Sequence, residues 1–124
     1  MMPSFAQTIH RTALKRHTCT ECQGDIQPMD IYERVTGYWD GQFSTFKTCT
    51  HCEIARDRYV EVWGRLRLPE EGHYSFGRVE EDITYAAPHF DGTGVAFELY
   101  RHVVGMRQRR RAAIARRAAE QDQH

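Results

Sequence analysis

Four cysteines carry the most specific chemistry in this sequence. Cys19 and Cys22 form one Cys-x-x-Cys pair and Cys49 and Cys52 form a second, with residues 23–48 between them. Cysteines three positions apart reach one metal ion when the backbone turns tightly between them. Two such pairs supply a closed tetrahedral thiolate set with no position left for water or substrate. The expected metal is therefore one structural Zn2+. A redox dithiol is the weaker use of these residues, because no thioredoxin-like βαβ pattern surrounds either pair. An iron–sulfur cluster also takes four cysteines, but it suits the intervening hairpin and helix poorly. His17 and His51 lie beside the pairs and are bystanders while all four cysteines are present.

Local elements must bring the pairs together. Gly24 follows the first pair, where a glycine relieves a tight turn that needs positive φ. Residues 31–39 (IYERVTGYW) and 42–48 (QFSTFKT) have strand composition, and Asp40-Gly41 between them favours a type I′ hairpin. A two-residue turn sets Tyr38 opposite Phe43, Thr36 opposite Thr45, Val35 opposite Phe46 and Arg34 opposite Lys47. The Val35–Phe46 side is the expected core face. Arg34 and Lys47 make a like-charge pair, costly unless an anion or carboxylate lies near; splaying into water is the simpler expectation. Ala55, Tyr59, Val62, Trp63 and Leu66 then recur at helical spacing until Pro69. Arg56, Arg58 and Arg65, mixed with Glu53, Asp57 and Glu61, read as the solvated face of that helix.

Knuckle, hairpin, then a cysteine pair opening a helix resembles a treble-clef zinc finger, over roughly residues 17–66. Tyr32-Glu33-Arg34, Trp39-Asp40-Gly41 and Thr45-Phe46-Lys47-Thr48-Cys49 further resemble small zinc-finger proteins of bacteriophages and prophages. The resemblance implies a zinc site and a phage or bacterial origin, and no established activity. The fold class expected is α+β: a treble clef with a C-terminal helical extension ending in a long basic helix.

Four segments follow. Residues 1–18 are a basic arm or short helix, with Ser4 as cap, packing through Phe5, Ile9 and Leu14. Residues 19–68 are the zinc finger. Residues 69–92 are an acidic connector with a short helix over about 76–86 capped by Ser75; His73 and His89 in its flanks are ordinary surface or packing histidines. Residues 93–124 form a helix capped by Thr93 or Asp91, whose apolar stripe (Val95, Leu99, Val103, Met106) gives way to arginines with little of the domain to bury against.

Formal charge is zero overall but segregated: residues 1–18 carry +3, residues 19–66 carry −3, residues 67–98 carry −5 and residues 99–124 carry +5. With mean hydropathy −0.68, the core is modest and a metal staple would help it. No apolar run is long enough for a bilayer, and the N-terminal stretch lacks an apolar signal region, so a cytoplasmic location is expected.

Arg107, Arg109, Arg110, Arg111, Arg116 and Arg117, with Arg11, Lys15 and Arg16, are the candidate contacts to a partner. The reading leans to a protein-interaction module, an adaptor or regulator docking on a host or phage protein. Nucleic-acid binding through the basic helix is the alternative, and the stripe could instead make a homodimer. Enzyme activity is not expected. A His-Asn-His nuclease needs a histidine in the hairpin, and residues 31–48 hold none; the chain contains no asparagine.

Overall fold

The computed structural model describes residues 5–39, 41–64 and 76–122. Strands β1 (Phe5–Thr12), β4 (Ile31–Trp39) and β5 (Gln42–Cys49) form an antiparallel sheet in the order β1-β4-β5. Strands β2 (His17–Thr18) and β3 (Asp25–Ile26) pair across the first cysteine turn. Helices α1 (Thr50–Gly64), α2 (Val79–Ala86) and α3 (Gly94–Asp122) complete the mixed α+β fold, with a 3-10 turn at Ala87–Phe90 before α3. No helix among the described residues is long and apolar enough to cross a membrane.

The hairpin register is the one expected: Trp39 pairs with Gln42, Val35 with Phe46 and Arg34 with Lys47. Gly41 takes φ +83, the left-handed region that glycine enters without a Cβ penalty. Val35 and Glu33 on one face of β4 are buried, and part-buried Phe46 on that face stacks on Phe76 at 4.2 Å; Tyr32 of the opposite face is buried too and joins the main core cluster. Leu66 and Pro69, expected at the end of the first helix, lie outside the described residues, as do Ser4, Asp40, Arg65, His73 and Ser75.

The N-terminal segment departs from expectation. Residues 5–12 are a strand, pairing with β4 from Phe5↔Tyr38 to Thr12↔Ile31. Weak helical spacing lost to an open strand edge, whose unpaired N–H and C=O groups took up Thr8, Ile9 and Thr12. Ile9 and Leu14 do not pack as anchors; both are exposed, and Ala13 is the buried residue. Ala13 N donates to Asp30 O and Met29 N to Ala13 O, each at 2.8 Å, fixing the crossing of the two segments.

The other departures are buried charges. Arg56 does not lie on a solvated face: it is buried, and its guanidinium grips buried Glu33 at 2.5 and 2.8 Å. Helical spacing put it on the exposed side because its partner, Glu33, comes from another element. Helix α2 starts at Val79, later than expected, because Gly77 at φ +88 breaks the chain there. A side chain from the cysteine turn meets its first amide and the turn before it: Glu21 accepts from Val79 N at 3.1 Å and from Gly77 N at 2.8 Å.

Helix α3 begins after Thr93, whose hydroxyl accepts from Ala96 N at 3.4 Å. Leu99, Val103 and Met106 are buried and Val95 packs against the same core, so this stripe is spent within the chain and is not free for a second copy. The arginine-rich half does find a surface to cover. Ala113 is buried too, and α3 runs on over the cysteine turn. His89 packs edge-on to Trp63 at 5.0 Å, a packing role as expected.

Candidate metal centre

Cys19 and Cys22 lie on the turn between β2 and β3; Cys49 ends β5 and Cys52 lies in the first turn of α1. All four are buried, and their ligand atoms lie within 4.8 Å of one another, the cluster measuring 3.6–4.0 Å. A tetrahedron with Zn–S bonds of about 2.3 Å has S···S edges of about 3.8 Å. The donor set therefore fits one zinc ion, held entirely by this chain.

Four thiolates around Zn2+ leave a net negative centre, and the fold supplies donors to it. Gly24 N donates to Cys22 Sγ and Cys49 N to Cys19 Sγ, both at 3.3 Å. Arg109 Nη2 donates to Cys52 Sγ at 3.4 Å, while its Nε is buried without a hydrogen-bond partner among the described residues. A guanidinium in such a place is costly unless a negative charge faces it, which a thiolate–zinc cluster provides.

Gly24 has a different role from the one its position suggests. The positive φ belongs to Gln23, at 58°, whose side-chain amide donates to Thr20 O and Glu21 O, both at 3.0 Å. Glycine is needed at 24 because α3 lies on it: a Cβ there would sit 2.9 Å from Arg109 Cβ and 3.1 Å from Cys22 Sγ. The side chain is absent so that α3 can close over the metal site.

The candidate contact residues divide. Arg110 donates to Cys22 O at 3.2 Å, Gln23 Oε1 at 2.8 Å and Glu80 at 2.6 Å. Arg116 holds Asp25 at 2.5 and 3.0 Å, and its hydrogen bond keeps that carboxyl below its ordinary pKa. Arg117 donates to Gln23 O at 3.3 Å, Arg107 reaches Glu80 at 3.4 Å, and Arg16 reaches Glu120 at 3.2 Å. Arg111 is exposed, and no ion pair is formed by it, Arg11 or Lys15 among the described residues. Sequence reasoning missed Glu21 and the thiolate contact of Arg109. The one signal for them was the segregation of charge between the acidic middle and the basic end.

His51 is exposed. His17 packs tilted against the Tyr32 ring at 5.3 Å, and burial, then the charges of Lys47, Lys15, Arg11 and Arg34, hold it below its ordinary pKa. A second group, His10, Glu33 and Glu53, also brings ligand atoms together. His10 and Glu53 bond each other and Arg56 already neutralises Glu33, so no metal is needed there.

Compared with protein-family models, with curated proteins and with solved structures, the chain matches none.

Proposed function

We propose that this chain is a zinc-stabilised protein-interaction module, an adaptor built on a treble-clef frame, which docks through the outer face of α3. The carrying observation is that this face presents Phe97, Tyr100, Val104 and Ile114 to solvent, with Phe97 67% and Val104 50% exposed. Exposed large apolar side chains in a row are the informative kind of exposure. Arg101, over the Phe97 ring at 5.9 Å, and exposed Arg107 and Arg111 border the row. That combination fits a partner segment with apolar anchors and acidic flanks. Ile54 of α1 and Phe97 open a cavity of about 500 Å³ beside it, large enough for one such anchor.

The zinc is a frame in this reading. Its four thiolates fill the coordination sphere, and the resemblance of knuckle and hairpin to phage zinc-finger proteins points to a bacterial protein as the docking target. Less supports nucleic-acid binding by the basic helix, since Arg109, Arg110, Arg116 and Arg117 have partners within the chain.

The test is capture of partners from bacterial lysate by the zinc-loaded chain, with Phe97→Asp and Val104→Asp as variants, followed by binding of the purified partner. Both variants should keep their zinc and lose the partner. A partner retained by both, or a surface that captures only nucleic acid, would refute the reading.

A further inference from the structure

We propose that the sheet face opposite α1 carries a binding pocket for a terminal phosphate group, formed by Arg11, Lys15, Arg34 and Lys47. Arg34 and Lys47 are direct cross-strand partners on β4 and β5. Arg11 pairs with Tyr32 on the adjoining row of the same face, and Lys15 comes from the segment after β1. With Leu14, His17 and Tyr32 they line one cavity of about 330 Å³.

No carboxylate lines this cavity, and none pairs with these four cations among the described residues. The contrast with their surroundings is sharp: neighbouring Arg16 reaches Glu120, and Arg56, Arg58, Arg110 and Arg116 all hold carboxylates. Like charges set opposite each other across strands destabilise a sheet. Nor are Arg34 and Lys47 simply splayed: both are half-buried, with exposed Arg11 and Lys15 at the rim, and Lys47 Nζ donates to His17 Nδ1 at 3.2 Å. That histidine is braced by the buried Tyr32 ring. A strand pair that holds its cations in a concavity, rather than extending them into water, leaves a place for an anion.

The anion's class follows from the donors. Two guanidinium forks and two ammonium groups match the several oxygens of a phosphate, bidentate from arginine and as point charges from lysine. The cations converge on one cavity instead of tracking along a groove, as successive phosphates of a nucleic-acid backbone would require. A volume near 330 Å³ is at the small end of ligand pockets. A phosphomonoester on a small organic group fits; a polymer threaded through does not. This site is independent of the α3 face.

The test uses the zinc-loaded full chain in low-salt chloride buffer. Probes are inorganic phosphate, phenyl phosphate and a single-stranded DNA lacking terminal phosphates, read by calorimetry and thermal melting. Phosphate and phenyl phosphate should bind at millimolar concentration or better and raise the melting temperature. Arg34→Gln and Lys47→Gln should each weaken that binding at least tenfold with zinc content unchanged. In phosphate-free buffer both variants should melt above the natural chain, because one of two apposed charges is gone; a merely structural role predicts the reverse. No response of the natural chain to either small probe, an equal response in the variants, or lower melting of both would overturn the proposal. So would DNA without terminal phosphates binding more tightly than phenyl phosphate.

Discussion

Arg109 on α3 donates from Nη2 to the Sγ of Cys52, 3.4 Å away, although the two lie 57 positions apart in the chain. Through this contact the basic end of the chain is part of the metal site. Hydrogen bonds to ligand atoms tune a metal centre, and losing one typically costs about 10–100-fold in metal affinity. Arg109→Gln should therefore release zinc to a chelator about tenfold more readily than the natural chain. Competition with a chromogenic chelator measures this. Zinc release at the natural rate would show that the guanidinium contributes nothing to the thiolates.

Gly24 should tolerate no side chain. Gly24→Ala places a methyl 2.9 Å from Arg109 Cβ, and overpacking of this kind costs about 1–3 kcal/mol. Because the clash is with a Cβ, adding Arg109→Ala should not restore stability. Urea unfolding of the single and double variants decides it; full rescue by alanine at 109 would mean the obstruction lay in the rest of the arginine.

The Glu33–Arg56 pair should be sensitive on one side and forgiving on both. Burial raises the pKa of Glu33, but the hydrogen bond and charge of Arg56 outweigh it and leave the group lowered. Arg56→Met strands that carboxylate and should cost about 3–5 kcal/mol. Replacing both residues with methionine should recover most of the loss. A double variant as unstable as the single one would mean that the neighbouring His10 and Glu53 depend on the pair.

Much of this fold was legible because it is local. The hairpin register follows from Asp40-Gly41 and alternating strand composition, and the cysteine spacing alone anticipates the cluster that Cys19, Cys22, Cys49 and Cys52 make. What escaped was non-local. Glu21 caps a helix that begins at Val79, Arg56 looks like any surface arginine until β4 brings Glu33 to it, and residues 5–12 become a strand only because β4 has an open edge. The arginines of α3 read as an appeal to a partner. Several are answered by Glu80, Asp25 and the carbonyls of the cysteine turn, and only the opposed charges of the two segments hinted at it.

His102 should give stability a pH dependence. Burial is the main cause holding its pKa below the ordinary value; Glu98 opposes the shift, while Arg109, Arg101 and Arg58 reinforce it. A lowered folded pKa means the unfolded chain binds the proton first, so stability falls as pH drops below the unfolded value of about 6.5. The melting temperature should decline from pH 7 to pH 5.5, and His102→Gln should flatten that decline. Identical slopes for the two proteins would show that His102 contributes no linkage.

The central claim is that four thiolates close around one structural zinc on which folding depends, and cobalt titration of the metal-free full chain tests it most directly. Titration should saturate at one equivalent, with the absorption of a tetrahedral tetrathiolate site and a cooperative melt gained in step with metal. A metal-free chain that already melts cooperatively, or a spectrum unchanged in Cys49→Ser, would contradict it.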